Sequence, residues 1–131
     1  MTPELLALTL ATLLLIAQLL HVALLANLEI GSRWLAGPRD GDPGRALSPR
    51  AARLKRAYEN HREWIVPFAI AVLVVELSGA GSALTAGCAF AYLAARILYV
   101  PAYAFGWSPG RSIVWAVGFV ATVILLLAAL L

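Results

Sequence analysis

An apolar run of about 20 residues is long enough to cross a bilayer. A chain with several such runs has few folds open to it, because backbone polar groups in hydrocarbon must be satisfied inside the protein. This sequence opens with such a run, from about Pro3 to Leu28. Three more helical segments are read behind it: about Pro49–Leu77, about Ala83–Phe105, and from about Arg111 to the C-terminus. The first run has no basic segment ahead of it and exceeds the apolar length of a signal peptide, so it is read as a retained helix. Composition agrees: 62% of residues are hydrophobic and 13% charged, against about 45–50% and about 25% in soluble domains. The expected fold class is all-α integral membrane, a four-transmembrane-helix bundle with up-down topology, and residues 1–131 form one domain.

Punctuation sets the boundaries. Gly37, Pro38, Asp40, Gly41, Asp42, Pro43, Gly44, Ser48 and Pro49 make residues 31–49 the one substantial loop. Ser48 followed by Pro49 reads as a cap with proline at the first helical position. Ser78-Gly79-Ala80-Gly81-Ser82 and Gly106-Trp107-Ser108-Pro109-Gly110 read as tight turns.

The net charge of +3 does not signal nucleic-acid binding, because the basic residues bunch beside an apolar segment. Arg33, Arg39, Arg45, Arg50, Arg53, Lys55 and Arg56 lie in or beside the first loop, and Arg111 beside the last turn. The positive-inside rule puts both basic loops in the cytoplasm and both termini outside it. The expected location is the inner (cell) membrane, multi-pass. The single cysteine, Cys88, excludes an intrachain disulfide, and no metal-ligand spacing exists.

Two helices carry polar residues they should lack. In the second helix Arg53, Arg56, Asn60, Glu63 and Pro67 follow the spacing of one helix face. In the third, Tyr92, Arg96, Tyr99 and Tyr103 do the same. Counting from the 78–82 turn at about 1.5 Å per residue, Asn60 lies roughly 28 Å, Glu63 roughly 24 Å, Arg96 roughly 21 Å and Tyr99 roughly 26 Å along the helices. The stripes are level, and ionisable groups at that depth must be paired or face a polar site. Arg56, Asn60, Glu63 and Arg96 are therefore expected to form a network. Arg53, Arg56, Arg62, Arg96 and Arg111 outnumber Glu59 and Glu63, and surplus guanidinium suits an anionic ligand gripped bidentately.

The same residues resemble a known family, the membrane-associated proteins in eicosanoid and glutathione metabolism (MAPEG). Arg56-Ala57, Asn60, Glu63 and Pro67-Phe68 are similar to its second-helix signature. Ala95-Arg96 through Tyr99 to Tyr103 resembles its third-helix motif, Arg111 through Trp115 to Gly118 the start of its fourth helix, and Gly37-Pro38-Arg39-Asp40 the first loop of bacterial members. In order and register, these cover most of residues 33–120. The resemblance implies a homotrimer that binds glutathione as co-substrate between subunits on the cytoplasmic side. It further implies conjugation to lipophilic electrophiles or reduction of lipid hydroperoxides, with membrane lipid as surroundings and no nucleic acid. It implies that Arg56, Asn60, Glu63, Arg96 and Tyr99 hold glutathione, with Arg53 on the same stripe. Arg111 and Tyr103 would be the catalytic pair, because a cation beside the thiol favours the thiolate that must attack. His61 and Arg62 stand where apolar residues are common in the signature, making the pocket mouth more polar.

Two other readings stay open: a non-catalytic member binding another anionic or lipid ligand, and a small multidrug transporter. The transporter wants a carboxylate in the middle of the first helix, whereas Glu4 and Glu29 sit at its ends. His21 is expected to be an internal hydrogen-bonding histidine and His61 to face another helix or the headgroups. Trp34, Trp64 and Trp107 suit the membrane interface, and Trp115 either a lipophilic pocket or a trimer core. The charge asymmetry gives a direct test: a reporter active only in the cytoplasm, fused after Leu131, should be silent, and robust activity overturns the topology.

Overall fold

The computed structural model describes residues 1–131 and is all-helical. Helix α1 covers Pro3–Ala36: it is α-helical at Pro3–Ala26, passes into one π-helical turn at Asn27–Gly31, breaks at Gly31, whose φ of 112° and ψ of 136° are not helical, and resumes as a short α-helical stretch at Ser32–Ala36. It thus runs past the expected end near Leu28. Helices α2 (Pro49–Ser78), α3 (Ala83–Ala104) and α4 (Gly110–Ala128) follow, close to the segments expected. Three helices are long and apolar enough to span a membrane: Pro3–Ala36, Ala83–Ala104 and Gly110–Ala128. The charges in the first half of α2 keep it below that measure, and it is continuously apolar only from Trp64 to Val75.

The first three helices start where a side chain supplies a cap, and α4 starts behind Pro109 without one. The Thr2 hydroxyl accepts from Leu5 N ahead of Pro3, and Ser82 and Thr85 form a reciprocal capping box at α3. At α2 the Ser48 hydroxyl accepts from Ala51 N while its N–H and O–H both donate to the Glu29 carboxylate at 2.8 Å. That contact closes the first loop against the π-helical turn of α1. Gly79 ends α2 in the left-handed region at φ 69°, which a side chain would strain.

Helices α2 and α3 form the centre, with α1 and α4 on opposite sides. Small residues let the backbones approach, the usual device where lipid removes the hydrophobic drive between helices. Ala7 and Ala11 of α1, Ala71 of α2, Ala89 of α3 and Ala121 of α4 all lie in one buried cluster. Phe68 and Tyr92 are its large members, stacked with ring centroids 3.7 Å apart. At one end Glu4 is buried and accepts from the Thr85 hydroxyl, and Thr2 donates to Glu76. Glu4 is thereby part of the bundle's end, as its terminal position suggested.

His21 departs from expectation: it is exposed on α1. His61 is the internal histidine instead, its Nδ1 2.6 Å from Gln18 Oε1 of α1. Gly118 gives a test of close packing. A Cβ there would meet Tyr92, Ala95 and Arg96 at 3.6–3.8 Å, ordinary contact distances. Gly118→Ala should hold or raise thermal stability, by up to about 1 kcal/mol from helix propensity. Gly118→Leu should lower the melting temperature by driving into Tyr92 and Arg96, a cost of about 1–3 kcal/mol.

Candidate functional site

The α2 stripe divides between two surroundings, and helix geometry explains the division. At about 100° per residue, Arg56 and Glu63 lie within about 20° of each other around α2, while Asn60 is turned about 40° from Arg56 and His61 about 140°. Arg56 and Glu63 are exposed, Asn60 is half-buried and His61 is buried against α1. The expected network of Arg56, Asn60, Glu63 and Arg96 therefore does not form as one unit. Arg96, only 2% exposed, donates from Nη1 to Asn60 Oδ1 at 2.8 Å. Its guanidinium carbon also lies 5.2 Å from the Tyr92 ring centroid and 5.5 Å from that of Tyr99. Nε and Nη2 of Arg96 meet no acceptor within the chain. Glu63 makes no ion pair, and the chain's one ion pair joins Lys55 to Glu59 at 3.2 Å.

A second group gathers on Tyr103. Arg56 Nε donates to the Tyr103 hydroxyl at 3.2 Å, with its guanidinium carbon 5.6 Å from the ring centroid. The guanidinium of Arg111, at the start of α4, lies 4.7 Å from the same centroid. One tyrosine thus sits between cations from two helices, its electron-rich face offsetting charge that no carboxylate offsets. Arg53 lies one turn earlier on α2 and donates to the Ala104 carbonyl at 3.5 Å, closing the C-terminal end of α3.

These arrangements border a cleft of about 270 Å³ lined by Asn60, Tyr99, Tyr103, Arg111, Ser112 and Trp115. The structure brings four of the eight expected residues together there: Asn60, Tyr99, Tyr103 and Arg111. Arg96 reaches the cleft only through Asn60 and Tyr99, Arg56 through Tyr103, and Arg53 and Glu63 do not line it. Ser112 is a lining residue that the sequence reading did not select, and Trp115 one that it left between a lipophilic pocket and a trimer core. Trp115 lies one helical turn beyond Arg111, which is the signal that could have found it. It stacks on Phe119 at 5.4 Å, and Trp64 meets both rings edge-on. Trp64 is thus the third member of an aromatic cluster, not a lone interfacial side chain.

Chemically, the cleft offers a guanidinium, three hydroxyls, a carboxamide and an indole. It has cationic and hydroxyl donors with no carboxylate, so it suits an anion, and its indole wall suits an apolar group beside that anion. The pairing of Arg96 is testable through Asn60. Asn60→Leu leaves a buried guanidinium without its side-chain acceptor and should cost about 2 kcal/mol, read as a lower melting temperature in detergent. Asn60→Asp supplies a charged acceptor and should not lower it.

The family model described as MAPEG family matches residues 7–131 of the chain. No curated protein matches it.

Proposed function

Because the chain belongs to the MAPEG family, we propose that it is a glutathione-dependent membrane transferase or peroxidase acting on lipophilic electrophiles or lipid hydroperoxides. The observation that carries this reading is the cleft in which the Arg111 guanidinium and the Tyr103, Tyr99 and Ser112 hydroxyls converge beside Trp115. Glutathione has two carboxylates for arginines, one ammonium for Glu63, and a thiol that must lose its proton to attack. Arg111 stabilises the thiolate by charge. Tyr103 already accepts from Arg56 Nε, so its own O–H is free to donate a hydrogen bond to the thiolate sulfur, the thiol proton having passed to water. In transfer, the thiolate bonds to an electrophilic carbon and the leaving group departs with its bonding pair. The ring of Trp115, backed by Phe119, holds the lipophilic reactant beside it.

The assembly we propose is a homotrimer of up-down bundles in the inner (cell) membrane, each chain crossing four times, with both termini non-cytoplasmic and glutathione bound at the cytoplasmic side between subunits. The exposure of Arg56 and Glu63 on one line of α2 supports a site completed by a neighbouring copy. Arg56, Glu63 and Arg53 then hold the peptide, and Arg96 positions Asn60 and Tyr99.

Variants separate holding from chemistry. Arg56→Ala should raise the KM for glutathione tenfold or more, for about 1.5–3 kcal/mol of lost charged hydrogen bonding. Arg111→Ala should largely spare binding and lower kcat on the order of a hundredfold. It should also raise the pH at which the bound thiolate's ultraviolet absorbance appears. Arg111→Lys keeps the charge and loses the fork, so its defect is intermediate. Unchanged kcat and thiolate titration in Arg111→Ala would make that arginine a topological anchor, and a wild type that binds no glutathione at millimolar concentration would end the enzyme reading.

A further inference from the structure

The chain carries a second concavity of a different character, on the other side of the bundle from the cleft. Between α1 and the loop that follows it runs a groove of about 510 Å³, inside the range of about 300–1,000 Å³ typical of small-molecule sites. Leu19, Val22, Ala26 and Leu35 of α1 and Leu47 of the loop supply its apolar lining. Next to it is a hollow of about 400 Å³ that shares Ile30, Trp34 and Arg39 with the groove and adds Arg33, Asp40 and the backbone of Gly31 and Gly37. An apolar groove thus opens into a polar hollow, with Trp34 at the junction, where amphipathic rings sit at the level of headgroups.

The polar end is built to keep its arginine in place. Arg39 is the one non-glycine residue with positive φ, at 61°, a conformation that costs free energy and collects at ligand clamps. Its Nε donates to the Leu35 carbonyl at 2.7 Å, which fixes the guanidinium and leaves its Nη groups directed elsewhere. Lys55 also borders the groove but is paired with Glu59. Two arginines therefore face one carboxylate, Asp40, in the hollow, so the surplus charge is positive.

We infer that the groove and hollow together bind a single-headed anionic amphiphile, its acyl chain along α1 and its carboxylate or phosphate held by Arg39 and Arg33 beside Trp34. The end of the π-helical turn makes the shape: Gly31, at φ 112° and ψ 136°, breaks α1 between the groove and Trp34. A free fatty acid and an anionic phospholipid share this chemistry. The site has no lining residue in common with the cleft, so it stands or falls separately from the glutathione reading.

The test uses the purified full chain in nanodiscs and follows the Trp34 share of fluorescence, taken as wild type minus Trp34→Phe. Dibrominated stearate, brominated phosphatidylglycerol and brominated phosphatidylcholine are titrated as quenchers. Saturable quenching of that share is expected from stearate, phosphatidylglycerol or both, at a mole fraction roughly tenfold below that for phosphatidylcholine, as expected for a site recognising charge. Quenching by one anionic probe alone identifies the source as free acid or phospholipid, and quenching by both assigns a site that accepts either. The double variant Arg33→Gln with Arg39→Gln should raise the half-saturation point roughly tenfold, the loss of about one charged hydrogen bond. Ala26→Phe fills the groove without touching either arginine and should abolish saturation. Equal quenching by all three lipids, or anionic quenching that neither variant weakens, overturns the inference.

Discussion

A guanidinium in the interior of a membrane protein has to be surrounded by the protein itself, and Arg96 is where this chain meets that requirement. Hydrocarbon offers the group nothing, and an isolated charge there costs several kcal/mol. Its solution draws on two helices at once: an amide oxygen from Asn60 of α2 and the ring faces of Tyr92 and Tyr99 of α3. Gly118 of α4 then lets a third backbone come close enough to cover it. The central position of α2 and α3 follows from the same need. A helix whose first half is as charged as α2 can lie at this depth only with neighbours around it, and it packs against α1, α3 and α4.

What the sequence made legible follows from which signals are local. Turn residues and caps are local, so Pro49, Ser78, Ala83 and the start of α4 fall within a residue or so of where composition puts them. The end of α1 is not local. Glu29 near that end reaches the cap of α2, a contact across the loop that local composition does not show. The histidines show the same limit. His21 and His61 both sit among helical neighbours in the sequence, and only Gln18 facing α2 decides which of them is internal.

The site was half legible for a geometric reason. A shared helix face was read as a shared partner, yet a stripe spanning about 60° from Glu63 to Asn60 is wide enough to have one edge at lipid or a neighbouring chain and the other in the cleft. Asn60 took the inner edge, Arg56 and Glu63 the outer. The α3 stripe fared better because it lies on the face opposite the exposed Ile97 and Leu98, which buries Tyr99 and half-buries Tyr103. Trp115 carried an unmistakable spacing from Arg111, but an apolar ring on an apolar helix is informative only once the polar partner's direction is known.

The cleft's lining has one more property. It contains Arg111 and is flanked by Arg56 through Tyr103, and it includes neither a carboxylate nor a histidine. Guanidinium groups keep their charge at every pH a cell meets. The positive potential there is therefore a fixed background, one that acidification cannot strengthen and mild alkali cannot remove. The hydroxyls of Tyr99 and Tyr103 are then the groups in this lining that can exchange a proton with whatever molecule enters it.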